Sequence, residues 1–434
     1  MQNEYFKTSV LSEPDLDKRI KNLEKTFKEL YKAPPELIVR APGRAEIVGN
    51  HTDYNNGFTL SACISKSMLL FFRKRKDKLI RVFSNKFPTP QPLVFKVSTR
   101  AKKRSNCYSN YLKGVIKELI SLGIQVSGTD ILIGSNIPLG SGVSSSAALE
   151  VSTALGFLHL SSQKIDSLTV AALCQRAENT FVGSPCGFLD QGTIVFGKKE
   201  RLIFMDYMPR DKYPVSRINL IPTVFAKHQA SFIVVVDKES KRQLGSSGYP
   251  ARRKMCEGSL PFWSTKLEKK IRSLREIDAK IFTRYKGELK KINTTMCKRV
   301  EHIVYENQRV LNSVKALKRG NIKHFGKLLT SSGGSALRLY ELDEKTPELT
   351  FLYNQGKKIN GVLGIRNMGG GFAATTLALV EDSEFENFKK KLDQLYKRRF
   401  NKDLDFIKFK VTEGAGIIKS TLPLRKKIKK TIKV

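Results

Sequence analysis

A glycine- and serine-rich segment, Pro138–Ala148, lies between a strand-like apolar run and a helix-like run. Small residues let backbone N–H groups close around phosphate oxygens, and the start of a helix attracts negative charge. Its serine hydroxyls could also coordinate Mg²⁺ or phosphate. The segment lacks the Gly-Lys-Ser/Thr ending of a Walker A loop. It therefore predicts an anion-binding loop of another kind, with a plain helix start capped by serine as the alternative.

A second polar segment, Arg40–Asp53, contains Arg44, His51 and Asp53. It falls in a region rich in turn-forming residues, 41–57, between two predicted strands. Ligands are often held by such connections. Arg44 could neutralise a transferring phosphoryl group, and His51 and Asp53 could bind hydroxyl groups. The alternative is a polar surface loop without a ligand.

Carboxylates in a third region could act as a base or bind a metal ion. Asp190 lies in the tightly turned, nearly apolar loop 183–192. Partial burial would raise the pKa of such a carboxylate towards that of a useful general base. An Asx-turn or a helix cap is the alternative role. Glu178, in the preceding predicted helix, could be a metal ligand or a solvated surface residue.

A run of three glycines, Gly369–Gly371, stands between two predicted strands. Glycine allows a close approach of the backbone to a ligand. A tight hairpin or a bulge would also explain the run.

Hydrophobic periodicity gives the elements that must position these residues. The helical spacing of apolar residues predicts an amphipathic entry helix over Leu16–Tyr31. Strands and helices then alternate irregularly, which indicates an α/β or α+β class. Periodicity lapses near 206–219, and we place a domain boundary there. Further helices are predicted at 111–122, 147–160, 165–179 and 385–396. Strands are predicted at 37–39, 59–64, 129–133, 193–196, 231–236 and 373–380.

Composition excludes several classes of protein. The 434 residues carry a formal net charge of +38, which first suggests polyanionic partners. The sequence contains no run of 18 apolar residues, so it predicts no membrane-spanning helix. No signal peptide is visible at the start. Six dispersed cysteines and five dispersed histidines form no zinc or redox motif. We expect a cytoplasmic protein with reduced thiols.

Taken in order, six motifs resemble the galactokinase branch of the GHMP family of small-molecule kinases. The resemblance covers residues from about 30 to about 416. The motifs are APGR..IVGNHTDYNNGF (Ala41–Phe58), SNYLKG (Ser109–Gly114), PLGSGVSSSAALE (Pro138–Glu150), CGFLDQ (Cys186–Gln191), YPARRKMCE (Tyr249–Glu257) and NMGGGFAATTLAL (Asn367–Leu379).

This resemblance implies an α+β, two-lobed fold with the active site between an N-terminal and a C-terminal domain. It divides the chain into an N-terminal extension with the entry helix (1–30), an N-terminal kinase domain (31–210) and a C-terminal domain (211–434). The basic tail at 425–434 lies beyond the last motif. We expect it to be a solvated extension.

The resemblance also implies an activity, the transfer of the ATP γ-phosphoryl group to the anomeric hydroxyl of galactose. Asp190 would be the base and Arg44 its neighbour, and Ser146 and Glu178 would be ligands of Mg²⁺. The residues implied to bind ATP are Tyr108, Gly140, Ser141, Gly142, Val143, Ser144, Ser145 and Ser146. Those implied to bind the sugar are Asn50, His51, Asp53, Gly187 and Tyr249.

One departure from the family pattern leaves the sugar open. The family has a sugar-contacting glutamate where this chain has Asn50, and a Val-Asn pair where this chain has Ala45-Glu46. Glu46 could supply the missing carboxylate. Alternative functions are a sugar 1-kinase for N-acetylgalactosamine, galacturonate or arabinose, and a non-catalytic galactose and ATP sensor. We expect a monomer that binds ATP and a sugar, with no membrane or nucleic-acid partner.

Overall fold

The computed structural model describes residues 13, 15–138, 140–184, 186–209, 213–239, 248–343, 346–369 and 374–422. The basic tail at 425–434 and residues 370–373 of the glycine motif lie outside the described residues. The Tyr249 side chain does so too, so its predicted sugar contact remains a prediction.

The described residues form twelve strands. They are β1 (Leu37–Val48), β2 (Phe58–Lys74), β3 (Leu79–Ser84), β4 (Leu93–Lys96), β5 (Thr129–Ser135), β6 (Arg201–Asp206), β7 (Arg217–Pro222), β8 (Ala230–Asp237), β9 (Val362–Asn367), β10 (Thr375–Glu381), β11 (Leu404–Phe409) and β12 (Gly416–Ser420).

The same residues form twelve α-helices. They are α1 (Leu16–Tyr31), α2 (Ser109–Ser121), α3 (Ser145–Leu160), α4 (Ser167–Arg176), α5 (Leu189–Phe196), α6 (Tyr249–Gly258), α7 (Leu260–Lys266), α8 (Ala279–Ile292), α9 (Thr294–Lys318), α10 (Ile322–Tyr340), α11 (Pro347–Gly356) and α12 (Phe385–Phe400). A π-helical segment, Ala177–Val182, follows α4 directly. None of the described helices is both long enough and apolar enough to cross a membrane.

The strands form two mainly antiparallel sheets. The larger has eight strands in the order β12-β1-β2-β5-β3-β4, with β6 paired to β2 and β7 paired to β6. The smaller has the order β11-β8-β10-β9. Strands β7 and β12 of the larger sheet lie beyond the predicted domain boundary at 210/211, so the C-terminal end of the described chain returns to the N-terminal sheet.

Helix α3 is buried on nearly all sides, and it carries the glycine–serine segment at its start. Among its 16 residues only Ser145, Ser146 and His159 are not buried. Its sequence is rich in alanine and leucine and carries no charged residue except Glu150, as expected for a core helix. The buried position of α3 against β1 and β2 fixes the first turn of the helix relative to the strand that carries Arg44.

Two local predictions were wrong. The region 41–57 was predicted as turns, but Ala41–Val48 continue strand β1, whose pairing with β2 absorbs Pro42 at an irregularity in register. The segment 183–196 was predicted as a loop up to 192 and a strand from 193, but residues 189–196 form helix α5. In both places, long-range packing outweighs the local preference of the residues.

Candidate active site

Arg44 and Asp190 form the centre of the site. Strand β1 carries Arg44, and the first turn of α5 carries Asp190. The Arg44 Nε and Nη2 atoms both lie 2.6 Å from Asp190 Oδ1, and Nη1 donates to the Gly142 carbonyl at 2.6 Å. The Ser144 hydroxyl donates to the other carboxylate oxygen, Oδ2. The Asp190 side chain is 20% exposed. Its carboxylate is therefore fixed by these hydrogen bonds and still accessible to a ligand.

The glycine–serine loop, which we define as residues 138–146, ends at an uncapped helix. Ser144 is the residue before α3, with a left-handed φ of 58°. Its hydroxyl is bound to Asp190 and does not cap the helix. Gly142 also has a positive φ, 72°, which glycine adopts without strain. The first N–H groups of α3 are therefore available to an anion.

A carboxylate cluster lies beside this loop. Glu178 is in the π-helical segment, and the nearby Ser146 hydroxyl is one of the groups that lower its pKa. Gln191 Nε2 bridges Glu178 Oε2 at 2.7 Å and Glu150 Oε2 at 2.9 Å. Burial raises the pKa of Glu178, and the nearby Asp190 carboxylate raises it further. Such a cluster of hard oxygen atoms would be stabilised by a cation.

A cavity of about 390 Å³ opens next to the loop. Ser145 and Ser146 line one end of it, and apolar side chains such as Leu149 line its walls. Tyr108 stacks on Phe87 with ring centroids 5.9 Å apart and an interplanar angle of 19°. The volume falls in the range of small-molecule pockets. The arrangement suits a flat aromatic ring with a phosphate chain running towards the loop.

The polar wall, which we define as Asn50, His51, Asp53 and Gly187, lies near Asp190, whose carboxylate is, after burial, one of the causes that raise the pKa of Asp53. An added Cβ on Gly187 would lie 1.8 Å from Asp53 Oδ2, so a larger residue there would have to displace the Asp53 carboxylate. Burial, and then the Glu46 carboxylate, raise the pKa of Asp53 to about 7. Burial is the main cause that lowers the pKa of His51 well below its ordinary value, which keeps this ring neutral.

Helix α9 holds the backbone of this wall through Glu306. Glu306 Oε1 accepts hydrogen bonds from the N–H groups of Gly49 at 3.0 Å and Asn50 at 3.2 Å, and from Ser332 Oγ at 2.6 Å. Its Oε2 pairs with Arg309 Nε at 2.6 Å. Burial raises the pKa of Glu306, but Arg309 and the other nearby cations outweigh burial and hold it below its ordinary value. The wall is thus tied to the C-terminal half of the chain by an ionised, buried carboxylate.

Arg366 on β9 makes another contact between the N-terminal and C-terminal halves of the chain. Its guanidinium is fully buried. Nε donates to the Asn367 carbonyl at 2.7 Å, Nη1 to the Ile47 carbonyl at 2.9 Å, and Nη2 to Glu46 Oε1 at 3.3 Å. Asn50 also links the two halves of the chain. Its Nδ2 atom donates to Glu46 Oε1 at 3.2 Å and to the Gly369 carbonyl at 2.9 Å.

The structure brings most of the predicted site residues together. Asp190 is in direct contact with both Arg44 and Ser144, and Ser146 lies close enough to Glu178 to affect its pKa. Four residues that shape the site were not predicted from the sequence: Phe87, Gln191, Glu306 and Arg366. Of these, Gln191 lies within the CGFLDQ motif. The pair Glu306 and Arg309 has the spacing of an ordinary surface ion pair on a helix, so its sequence carries no sign of burial.

The fold and the site together define a small-molecule kinase of the GHMP class. The family model of the GHMP kinases N terminal domain matches residues 110–198. The galactokinase galactose-binding signature matches residues 25–74.

Relatives and solved structures give the family within that class. Galactokinase of Clostridium tetani (strain Massachusetts / E88) is 35% identical over 398 residues, which are 91% of this chain and 97% of the relative. Galactokinase of Thermotoga maritima is 35% identical over 378 residues, 87% of this chain and 99% of the relative. This chain belongs to the galactokinase family.

Structural similarity agrees with this assignment. Lactococcus lactis galactokinase, solved in complex with galactose, superposes with a TM-score of 0.83 at 29% identity, covering 91% of this chain and 99% of that chain. A mevalonate kinase shares the fold with a TM-score of 0.61 at 16% identity, covering 87% of this chain and 99% of that chain. The predicted two-lobed GHMP kinase fold is confirmed, and the family is one of phosphotransferases with an alcohol group as acceptor.

Proposed function

We propose that this chain transfers the γ-phosphoryl group of ATP to the anomeric hydroxyl of galactose, giving galactose 1-phosphate and ADP. The observation that carries the proposal is the Asp190 carboxylate, held on one oxygen by Arg44 and on the other by Ser144. It contacts Ser144 of the glycine–serine loop, which suits phosphate, and it lies near Asp53 of the polar wall, which suits hydroxyl groups. Membership of the galactokinase family supports the same reaction.

In the proposed reaction, Asp190 accepts the proton of the anomeric hydroxyl. The oxygen of that hydroxyl forms a bond to the γ-phosphorus, while the bond from this phosphorus to the bridging oxygen breaks and ADP leaves with the electron pair. Transfers of this kind have loose transition states, so positioning and electrostatics dominate. Arg44 orients Asp190 and offers positive charge to the transferring group, and the uncapped start of α3 receives the phosphate oxygens.

The residues present fit a magnesium ion. Ser146 and Glu178 offer a hydroxyl and a carboxylate close to each other, and Mg²⁺ prefers oxygen ligands with only one or two carboxylates. Among the described residues no cluster of three histidine, cysteine or acidic side chains could hold a metal ion. The remaining ligands would therefore be water and nucleotide phosphate. When bound, the ion would neutralise charge on the phosphates.

Glu178→Gln is expected to raise the Mg²⁺ concentration needed for half-maximal activity by about tenfold or more, since it removes the charged ligand but keeps the shape. The measurement is ADP formation against Mg²⁺ concentration at fixed ATP. Glu118→Gln is the matched control, because Glu118 pairs with Arg176 at 2.9 Å outside the cavity. An equal Mg²⁺ dependence in the two variants would contradict the assignment of Glu178.

Tyr108→Ala is expected to raise the KM for ATP about tenfold and to leave kcat within about twofold. An aromatic stack on a nucleobase contributes about 1–3 kcal/mol, and here the ring is already placed by Phe87. Steady-state kinetics at saturating galactose measure both constants. Tyr285→Ala, on helix α8, controls for the loss of an aromatic ring. A change in the KM for galactose instead of ATP would place the adenine elsewhere.

A panel of sugars tests the proposed function. ADP release is measured with galactose, N-acetylgalactosamine, galacturonate, arabinose and glucose at equal concentrations. The highest kcat/KM is expected with galactose. The observation that favours a different sugar is the amide side chain of Asn50, which occupies the position of the family's glutamate. A clear preference for another member of the panel would support that sugar 1-kinase, and binding without turnover would support a sensor.

A further inference from the structure

Glu46 is a buried carboxylate in the site that the proposed reaction does not yet use. Only 9% of its side-chain surface is exposed. From the described residues it receives two hydrogen bonds, both at Oε1: one from Asn50 Nδ2 at 3.2 Å and one from Arg366 Nη2 at 3.3 Å. No described residue donates a hydrogen bond to Oε2. A carboxylate oxygen that receives no hydrogen bond from a described residue keeps its capacity to accept one, so a ligand hydroxyl would be a favourable partner for it.

The strand geometry aims Glu46 into the same cleft as Arg44. The two residues are separated by one position, and their pairing with Cys63 and Ser61 of β2 runs without a register shift between them. Alternate residues of a strand lie on one face, about 6.6 Å apart along the strand. Arg44 contacts Asp190 from this face. Glu46 therefore lies about the length of one sugar ring away from the reacting end.

The neighbours of Glu46 agree with this placement. Its carboxylate is one of the causes, after burial, that raise the pKa of Asp53, so these two acidic groups share one part of the cleft. Arg366 cannot turn towards a ligand, because all three of its donor groups are bound within a fully buried contact. This part of the cleft thus offers acceptors for hydroxyl groups and has no mobile cation among these neighbours to balance an acidic substituent.

We propose that Glu46 binds the sugar and determines specificity: Oε2 accepts a hydrogen bond from a hydroxyl remote from the anomeric carbon, and Asn50 holds the carboxylate in position. The inference rests on the proposed function. It assigns the acceptor to Glu46, with Asn50 as its positioning residue, and it predicts that neutral sugars are preferred over galacturonate.

The test compares Glu46→Gln with the wild-type chain on galactose and on four monodeoxy galactoses that lack the hydroxyl at position 2, 3, 4 or 6. Affinities are measured by calorimetry, and turnover by ADP release. A hydrogen bond to a charged acceptor predicts about 10- to 100-fold weaker galactose binding in the variant and an unchanged KM for ATP. One of the deoxy sugars lacks the hydroxyl that Glu46 binds. For that sugar, the affinities of Glu46→Gln and of the wild-type chain should differ by less than about twofold.

Glu13→Gln is the matched control. Glu13 is also a buried carboxylate beside an arginine, at 3.0 Å from Arg40, but it touches no residue of the polar wall. Its galactose affinity should equal that of the wild-type chain. Three results would each overturn the role of Glu46. They are an equal loss of affinity in Glu46→Gln for all four deoxy sugars, no loss of affinity for galactose, and a preference of the wild-type chain for galacturonate.

An exchange variant covers the case in which Glu46→Gln fails to fold. Glu46→Asn combined with Asn50→Glu restores a carboxylate and an amide in contact. Galactose affinity within about tenfold of the wild type supports the proposal, and a larger loss in a folded exchange variant overturns it. Failure of the wild-type chain to release ADP with galactose would contradict the proposed function instead. Failure to bind any sugar would contradict both.

Discussion

The Asp190→Asn variant is expected to lose about 10²- to 10⁴-fold in kcat with galactose and ATP, the range that a positioned general base contributes. The amide keeps the size of the side chain but cannot accept the proton of the anomeric hydroxyl. The KM values for both substrates should change little, because the glycine–serine loop and the polar wall are untouched. Rapid-quench or coupled steady-state kinetics measure the loss.

Asp206→Asn is the control for this variant. Asp206 also pairs with an arginine, since Arg275 Nη1 lies 2.8 Å from Asp206 Oδ1, and its side chain is 13% exposed. It lies at the end of β6 and contacts none of the residues proposed to react. Its kcat should stay within about twofold of the wild type. A kcat in Asp190→Asn within tenfold of the control would show that proton acceptance by Asp190 is not needed.

The Glu306→Ala variant is expected to lose about 3–5 kcal/mol in free energy of unfolding. Removing one partner of a buried ion pair leaves the other charge uncompensated, here Arg309. The N–H groups of Gly49 and Asn50 also lose their acceptor. Denaturant unfolding followed by circular dichroism measures the change. The folded fraction should also bind galactose more weakly, because Asn50 belongs to the polar wall and Gly49 directly precedes it.

Glu301→Ala tests whether this loss comes from burial. Glu301 is on the same helix and pairs with Lys286 at 2.8 Å, but the lysine side chain is 43% exposed. An exposed pair of this kind contributes less than about 1 kcal/mol. Similar unfolding midpoints for Glu306→Ala and Glu301→Ala would contradict the role assigned to Glu306.

Local sequence signals were enough for some elements and for the identity of the reacting groups. Helix α1 begins at Leu16 and ends at Tyr31, as its apolar spacing predicts. The glycine–serine loop precedes a helix, as its composition predicts. Such features depend on neighbouring residues, so a single sequence contains them.

Features that depend on distant partners could not be predicted in this way. Arg44 was expected on a turn, and it lies in a strand because β2 pairs with the whole of β1. Asp190 was expected in a loop, and it lies in the first turn of a short helix. Glu306 contacts Gly49 across 257 positions of the chain. No local sequence pattern predicts such a contact. The spacing of Glu306 and Arg309 is also that of many solvent-exposed ion pairs on helices.

The net charge of +38 first suggested a polyanionic partner. The site accounts for only a few of these positive groups, and Arg44 and Arg366 are already bound to Asp190 and Glu46. The excess is therefore a property of the rest of the surface and of the tail, separate from the proposed reaction.

The position of the phosphate in the product tests the central claim most directly. The purified chain is incubated with ATP, Mg²⁺ and galactose, and the product is analysed by ³¹P and ¹H nuclear magnetic resonance. The account predicts one galactose phosphate per ADP, with coupling of phosphorus to the anomeric proton, and almost none with Asp190→Asn. Phosphate on another hydroxyl, or ADP formation independent of galactose, would contradict it.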